Sequence, residues 1–305
     1  MAPPEMEGLL ARLKRGDVVV GDGAWGTQLM TRGLPAGQPP EWFALERPEV
    51  IEEVARLYVD AGAELITTDT FGGTSFRLKL HGLDGERERI NRQAVEAVRR
   101  AVAGRALVSA SVGPSGQMLE PFGDTPVEAV LAAFEEQIAV LAAAGADVVC
   151  IETMSDLVEA TQAVTAARRV APTLPVIATM TFEPTPRGDF TLMGVSPEQA
   201  VAGLCAAGAD VVGANCGTGI EDMLRIAETM TRAGARPVAI QPNAGLPETR
   251  DGKVVYRQTP DGMASHVGAL LERGVSIVGS CCGTTPDHTR AIRAAVDAWR
   301  QRPRN

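Results

Sequence analysis

The chain has 305 residues, 45% hydrophobic and 22% charged, with 32 glycines and a formal net charge of −9. That length suits a single α/β barrel whose core needs no disulfide staples, and the composition is globular. The acidic balance argues against nucleic acid or an anionic membrane as the main partner, and no apolar stretch approaches the length of a membrane span. The N-terminal Met1-Ala2-Pro3-Pro4-Glu5 lacks the basic-then-apolar pattern of a secretory leader. Five cysteines are an odd count, and two of them are adjacent. Both facts fit a reducing cytoplasm better than a disulfide framework.

In chain order, eight β-rich runs are expected near Val18–Val20, Leu65–Thr68, Ala106–Ala110, Val148–Ile151, Val176–Met180, Val211–Gly213, Val238–Ile240 and Ile277–Gly279. Between them lie stretches such as Pro48–Tyr58 and Glu135–Leu141, whose apolar residues recur at the helical spacing of three and four. Strict alternation predicts a parallel sheet. Eight such units predict closure into one (β/α)8 TIM barrel, a single domain over residues 1–305. Gly85–Arg89 and Thr249–Lys253 read as exposed loops or helix starts.

A short repeat sets the register. Ala61-Gly62-Ala63-Glu64, Ala144-Gly145-Ala146-Asp147, Ala207-Gly208-Ala209-Asp210 and Arg273-Gly274-Val275-Ser276 precede the second, fourth, sixth and eighth runs. Each glycine is expected to end a helix in the left-handed conformation. Seven residues beyond these glycines stand Asp69, Glu152, Asn215 and Cys281; eight beyond stand Thr70, Thr153, Cys216 and Cys282. Alternate strands of such a barrel share inward-facing layers, so these side chains are expected at neighbouring heights at the C-terminal mouth.

Cys216 lies in Gly213-Ala214-Asn215-Cys216-Gly217, and Cys281 and Cys282 lie in Gly279-Ser280-Cys281-Cys282-Gly283. Strand alternation would point adjacent cysteines to opposite faces, so both can reach one ion only if the strand ends and turns there. Gly283 and Gly217 are suited to that turn. Three thiolates with one open position form the ligand set of a catalytic zinc site, whereas a structural zinc takes four protein ligands. Three anionic sulfurs keep electron density on a fourth, which suits alkylation of a thiol better than hydrolysis. Cys150 and Cys205 read as apolar core residues. His266 and His288 read as surface or packing residues on helices. Asp22, Asp69 and Glu152 fall at strand ends, where a carboxylate could meet a cationic group; for Asp69 a turn or cap role is equally open.

These segments resemble the homocysteine S-methyltransferase family over nearly the whole chain. The likeness is carried by Gly21–Thr27, Thr68–Gly72, Ile151–Thr153, Gly213–Gly217, Gln241–Pro247 and Gly279–Gly283. Within the family the chain looks most like the homocysteine-binding module of cobalamin-dependent methionine synthase. The resemblance implies that Cys216, Cys281 and Cys282 bind Zn2+. It implies that Asn243 matches a residue able to fill the ion's fourth position before substrate displaces it. It also implies that Glu152, helped by Asp22 and the backbone near Gly23 and Ala24, holds the substrate ammonium. Two departures stand out. Ser280 occupies a position where many relatives carry glycine, and Trp25 replaces a smaller residue in its loop. No cobalamin signature (Asp-x-His-x-x-Gly) occurs, so a corrinoid or folate donor must come from another polypeptide.

The expected activity is methyl transfer to the thiol of L-homocysteine, giving methionine. The expected donor is a methylcorrinoid on a separate protein; S-methylmethionine and betaine-type donors stay open, as does another thiol acceptor in a corrinoid pathway. Two rival classes are a non-catalytic zinc-stabilised barrel that binds thiols and an aldolase-like barrel. The latter needs a strand-end lysine, and Lys14, Lys79 and Lys253 lie elsewhere.

Overall fold

A computed structural model describes residues 7–250 and 253–302; residues 1–6, 251–252 and 303–305, and with them the segment read for a leader, lie outside the described residues. Eight parallel strands form the centre: β1 (Val19–Val20), β2 (Leu65–Thr67), β3 (Leu107–Val112), β4 (Val148–Met154), β5 (Val176–Met180), β6 (Val211–Asn215), β7 (Val238–Gln241) and β8 (Val275–Val278). They pair in sequence order from β2 to β8, and β8 pairs with β1. A bridge between Gly21 and Leu65 joins β1 to β2 and closes the barrel. The expected eight-unit barrel is therefore observed.

The repeat has a physical function. Gly62, Gly145, Gly208 and Gly274 all take positive φ, from 84° to 102°, where a side chain would be strained. The acidic residue two positions later then accepts a backbone N–H of the preceding strand: Glu64 from Val20, Asp147 from Val108 and Asp210 from Val176. Arginines from the surrounding helices pair with the same carboxylates, Arg293 with Glu64, Arg99 with Asp147 and Arg168 with Asp210. Each unit thus fixes its neighbour's strand at the N-terminal rim, and Ser276 leaves the fourth copy without the carboxylate.

Two apolar clusters flank the strands. The larger lies between sheet and helices. The smaller fills the barrel's lower interior with Val19, Leu65, Leu107, Val148, Cys150, Ile177, Val211, Ala239 and Ile277; Leu9 and Leu13 of the first helix (Leu9–Arg15) seal it from below. Burying a large aliphatic side chain stabilises by about 1.5–3 kcal/mol, so this layer makes a rigid floor. Polar side chains are displaced to the opposite, C-terminal end.

Two expectations fail. Thr249, Arg250 and Lys253 lie in strands, not in a loop or helix start, and residues 251–252 of that segment lie outside the described residues. Glu248–Arg250 and Lys253–Val255 pair antiparallel, and the β-branched Thr249, Val254 and Val255 suit that pairing. Cys205 is exposed, not core. Its helix (Pro197–Ala207) buries Ala200, Val201 and Leu204, and the residue after Leu204 is rotated about 100° off that face. Cys150 is buried, as expected. His288 is a packing residue that completes the capping box of helix Pro286–Arg300.

Candidate metal and substrate site

Three cysteine sulfurs converge beyond the ends of β6 and β8. The Sγ atoms of Cys216, Cys281 and Cys282 all lie within 4.8 Å of one another. β8 ends at Val278, so the adjacent cysteines are released from strand alternation. Gly283 turns the chain at φ 80° and Gly217 at φ 72°. Cys216 itself sits at φ 60°, a conformation that costs a non-glycine residue on the order of 1 kcal/mol or more and persists only where surroundings impose it. The segment after β7 supplies those surroundings. Cys216 N–H donates to Gln241, Cys281 N–H donates to Pro242, and Ala244 N–H donates to Cys282, at 3.1, 2.8 and 2.9 Å. Asn243 lies in the middle of this hub, buried, with its Oδ1 unpartnered and its side chain hydrogen-bonded to Cys216.

The donor set fits a thiophilic tetrahedral ion. Metal–sulfur bonds of about 2.3 Å at the tetrahedral angle require sulfurs about 3.8 Å apart, and Cys216 and Cys282 stand at 3.8 Å. Hydrogen bonds from Cys281 and Cys282 hold the Cys216 thiol down to about 3, whereas contact with Cys216 pushes Cys282 up to about 11 and Cys281 well above its usual value. Alone, the three sulfurs thus share one negative charge. A divalent cation would let all three ionise, and the Asn243 oxygen beside them has no partner of its own.

Two carboxylates flank this cluster, Asp22 beyond β1 beside β8 and Glu152 on β4. Glu152, partly exposed at the end of β4, accepts a hydrogen bond from the Ser111 hydroxyl. Burial pushes its carboxyl up to about 7 against that hydrogen bond, and the nearby charges of Asp22 and Cys216 add to the rise. Asp22, buried beyond β1, accepts from Trp25 Nε1 and Thr67 N–H at 2.7 Å and from Thr67 Oγ1 at 2.8 Å. Burial still pushes it up to about 6. A carboxylate raised by desolvation gains most from an arriving cation.

Gly23 is required by crowding: a β-carbon there would lie 2.7 Å from Thr284 Oγ1. The Ala24 N–H is taken by Thr284 at 3.0 Å, so Ala24 has no backbone donor left for a ligand. Ser280, the departure noted in the sequence, fits without distortion; its hydroxyl reaches Thr284 Oγ1 and the Asp22 carbonyl at 3.1 and 3.4 Å. Trp25, the other departure, anchors Asp22. Asp69 stands apart. It is buried at the end of β2 with Oδ2 unpartnered. Burial pushes its carboxyl well up, and Glu41 adds to the rise; Glu41 in turn accepts the Gly72 N–H.

Several site residues escaped the sequence reading. Ser111 and Thr67 lie on strands with inward faces, a signal that existed but was shared by many positions. Tyr256 follows the strand Lys253–Val255 and its phenol interacts with Cys282; no periodicity marks it. Asn215 was visible in the register but had no assigned task.

The sequence pattern of the homocysteine S-methyltransferase family matches residues 19–296. Methionine synthase of Mycobacterium leprae is 34% identical over 298 residues, and that of Mycobacterium tuberculosis is 34% identical over 299. Each match takes in 92% of this chain and only 24% of the relative, so the chain spans about a quarter of the length of those enzymes. Among solved structures, the metallated form of the homocysteine methyltransferase MmuM from Escherichia coli superposes with a TM-score of 0.78 at 24% identity, covering 94% of this chain and 99% of MmuM. At that identity the likeness supports the barrel fold alone.

Proposed function

The chain belongs to the homocysteine S-methyltransferase family, and from that premise we propose that it transfers a methyl group to the thiol of L-homocysteine, giving methionine. The observation that carries this reading is the pairing of a three-sulfur corner with a desolvated carboxylate at one barrel mouth. An amino-acid thiol has the complementary chemistry, a soft nucleophile at one end and an ammonium at the other.

Cys216, Cys281 and Cys282 would hold a zinc ion, with Asn243 completing the set until substrate displaces it. Such an ion lowers the pKa of an incoming thiol while three anionic sulfur ligands keep that sulfur nucleophilic. The rest is the work of this chain. Glu152 and Asp22 take the substrate ammonium, with the backbone around Gly23 beside it. Ser111 orients Glu152, and Trp25 and Thr67 orient Asp22. The thiol gives up its proton to solvent, its sulfur attacks the methyl carbon in line, the new S–C bond forms, and the donor leaves with the electron pair of the broken bond.

The donor in this reading is a methylcorrinoid borne by a separate protein. The large exposed apolar side chains among the described residues favour a protein-borne donor: Met30, Leu80, Met118, Phe122, Val158, Leu192, Met193 and Leu246. Every one lies in a connection leaving the C-terminal end of a barrel strand, the end that carries the sulfurs. Exposed apolar side chains at this end supply surface on which a donor protein would dock.

The test is paired. Metal analysis should find one zinc per chain, and zinc-edge absorption should show three sulfurs plus one lighter atom, becoming four sulfurs on adding homocysteine. An unchanged sulfur count removes homocysteine from the account.

A further inference from the structure

Asn215 joins the two halves of the site. It is fully buried at the end of β6, immediately before Cys216. Its Oδ1 accepts the Thr153 N–H at 2.8 Å and the Thr179 hydroxyl at 2.7 Å. Its Nδ2 donates to Thr153 Oγ1 at 2.7 Å and reaches Glu152 Oε2 at 3.5 Å. All four hydrogen-bonding positions of the amide are thereby used. Thr153 stands at φ 61°, matching Cys216 at φ 60°. So two strained strand ends, one bearing the carboxylate and one bearing a sulfur, are locked to each other through one side chain. The backbone of Asn215 is pinned as well, its carbonyl accepting the Thr181 hydroxyl at 2.9 Å.

We propose that Asn215 is a specificity-determining positioning residue that fixes the distance and angle between the ammonium-binding carboxylate and the sulfur corner. It touches neither substrate nor ion in this role. It acts as the crosspiece that makes the site select a thiol whose ammonium sits at homocysteine's span. A rigid crosspiece is needed because the two anchors lie on different strands, separated by β5, and each is held in a backbone state that relaxes if its partners are lost. The inference rests on the homocysteine reading above.

The test uses the full chain loaded with cobalt(II), whose sulfur charge-transfer bands report thiol binding without turnover. Homocysteine and 1-propanethiol, which lacks the ammonium and carboxylate, are titrated into wild type, Asn215→Ser, Thr179→Val and Thr179→Ser. Thr179 lies on β5, between the two anchor strands, and its hydroxyl donates to the amide oxygen. The expected result is that wild type prefers homocysteine strongly. Asn215→Ser should lose at least tenfold of that preference while keeping the three-sulfur cobalt spectrum and its affinity for propanethiol. Thr179→Val should lose about threefold, and Thr179→Ser should restore the wild-type preference. If Asn215→Ser does not fold, the Thr179 pair decides alone. A retained preference in the folded variants overturns the crosspiece role and leaves the homocysteine reading standing. Loss of cobalt binding in Asn215→Ser would also overturn it, by showing a support for the metal corner only. A wild type with no preference for homocysteine overturns the underlying reading itself, and this inference with it.

Discussion

The ring of Tyr256 lies so close over Gly283 that a β-carbon on the glycine would stand 2.1 Å from the ring's Cγ. Gly283 also holds φ 80°, so it answers two demands at once, a left-handed turn and an aromatic lid over the cysteine pair. Gly283→Ala should therefore disturb the turn that aims Cys281 and Cys282. The expected outcome is a loss of 1–3 kcal/mol or so in unfolding free energy and a fall in zinc affinity of at least tenfold. Adding Tyr256→Ala should recover part of the stability, because the clash goes while the strained φ remains. Thermal unfolding and competitive chelator titration check both points.

Metal removal should leave Cys216 the most reactive thiol. In metal-free protein its sulfur carries the charge shared by the cluster, whereas burial raises the thiol of exposed Cys205. Iodoacetamide at pH 6 should label Cys216 well ahead of Cys205, as read by peptide mass spectrometry. Stoichiometric zinc should protect Cys216 and leave Cys205 unchanged. Equal labelling of the two, with or without zinc, would contradict a common metal site.

Under the proposed activity, Glu152 ties substrate binding to pH. Without ligand its carboxyl is pushed up to about 7, and only the ionised form attracts an ammonium. The affinity ratio of homocysteine to propanethiol should rise with pH through that value and level off above it. Below about pH 8 both thiols are still protonated, so the ratio cancels the proton each loses on binding. Glu152→Gln should remove the rise near 7, leaving the lower one that Asp22 sets at about 6, and weaken homocysteine by about 100-fold, the loss expected when a charge-assisted contact worth roughly 3 kcal/mol disappears.

For Asp69 the expectation concerns stability. An acid whose folded pKa is raised favours the fold while protonated, so its contribution is present at low pH and is lost as pH rises through the raised value. Ionising Asp69 beside Glu41 in a buried setting is unfavourable. Asp69→Asn should therefore gain on wild type as pH increases from 5 to 9, by on the order of 1 kcal/mol at the upper end. Homocysteine affinity should stay within about twofold, since Asp69 shares no partner with the ammonium site. Melting curves across pH and the same titrations test the pair of claims.

The apolar mouth makes a prediction about the donor. Phe122 and Leu192 are 80% and 82% exposed. Phe122→Glu with Leu192→Glu should lower kcat/KM at least tenfold with a protein-borne methylcorrinoid. The same variant should leave transfer from free methylcobalamin within about twofold. Equal effects on both donors would mean that these side chains do not serve docking.

Much of this was legible before the structure. The Ala-Gly-Ala-acid repeat set the barrel register because its glycine and its carboxylate each do one local job, ending a helix and capping the neighbouring strand. That register brought Glu152, Cys216 and the Cys281–Cys282 pair to one mouth by counting alone. What escaped depended on contacts between distant segments. Tyr256 reaches the cysteines only because a pair of antiparallel strands carries it there. Cys205 was misread because a single residue's burial follows the angle of its helix face. Asn215 stood in the counted register, yet its task emerges only when Thr153, Thr179 and Glu152 surround it.

Among the described residues, Leu9, Leu13 and the inward aliphatic layer close the barrel's lower end and leave the sulfur-bearing mouth as the way in. Under the proposed activity, acceptor and donor arrive by the same opening through which the product departs. Traffic must then be sequential: the thiol settles first, the donor protein covers it, and the methylated amino acid waits for that cover to lift. Release of the spent donor thereby becomes a step that can govern turnover, however fast the methyl group moves.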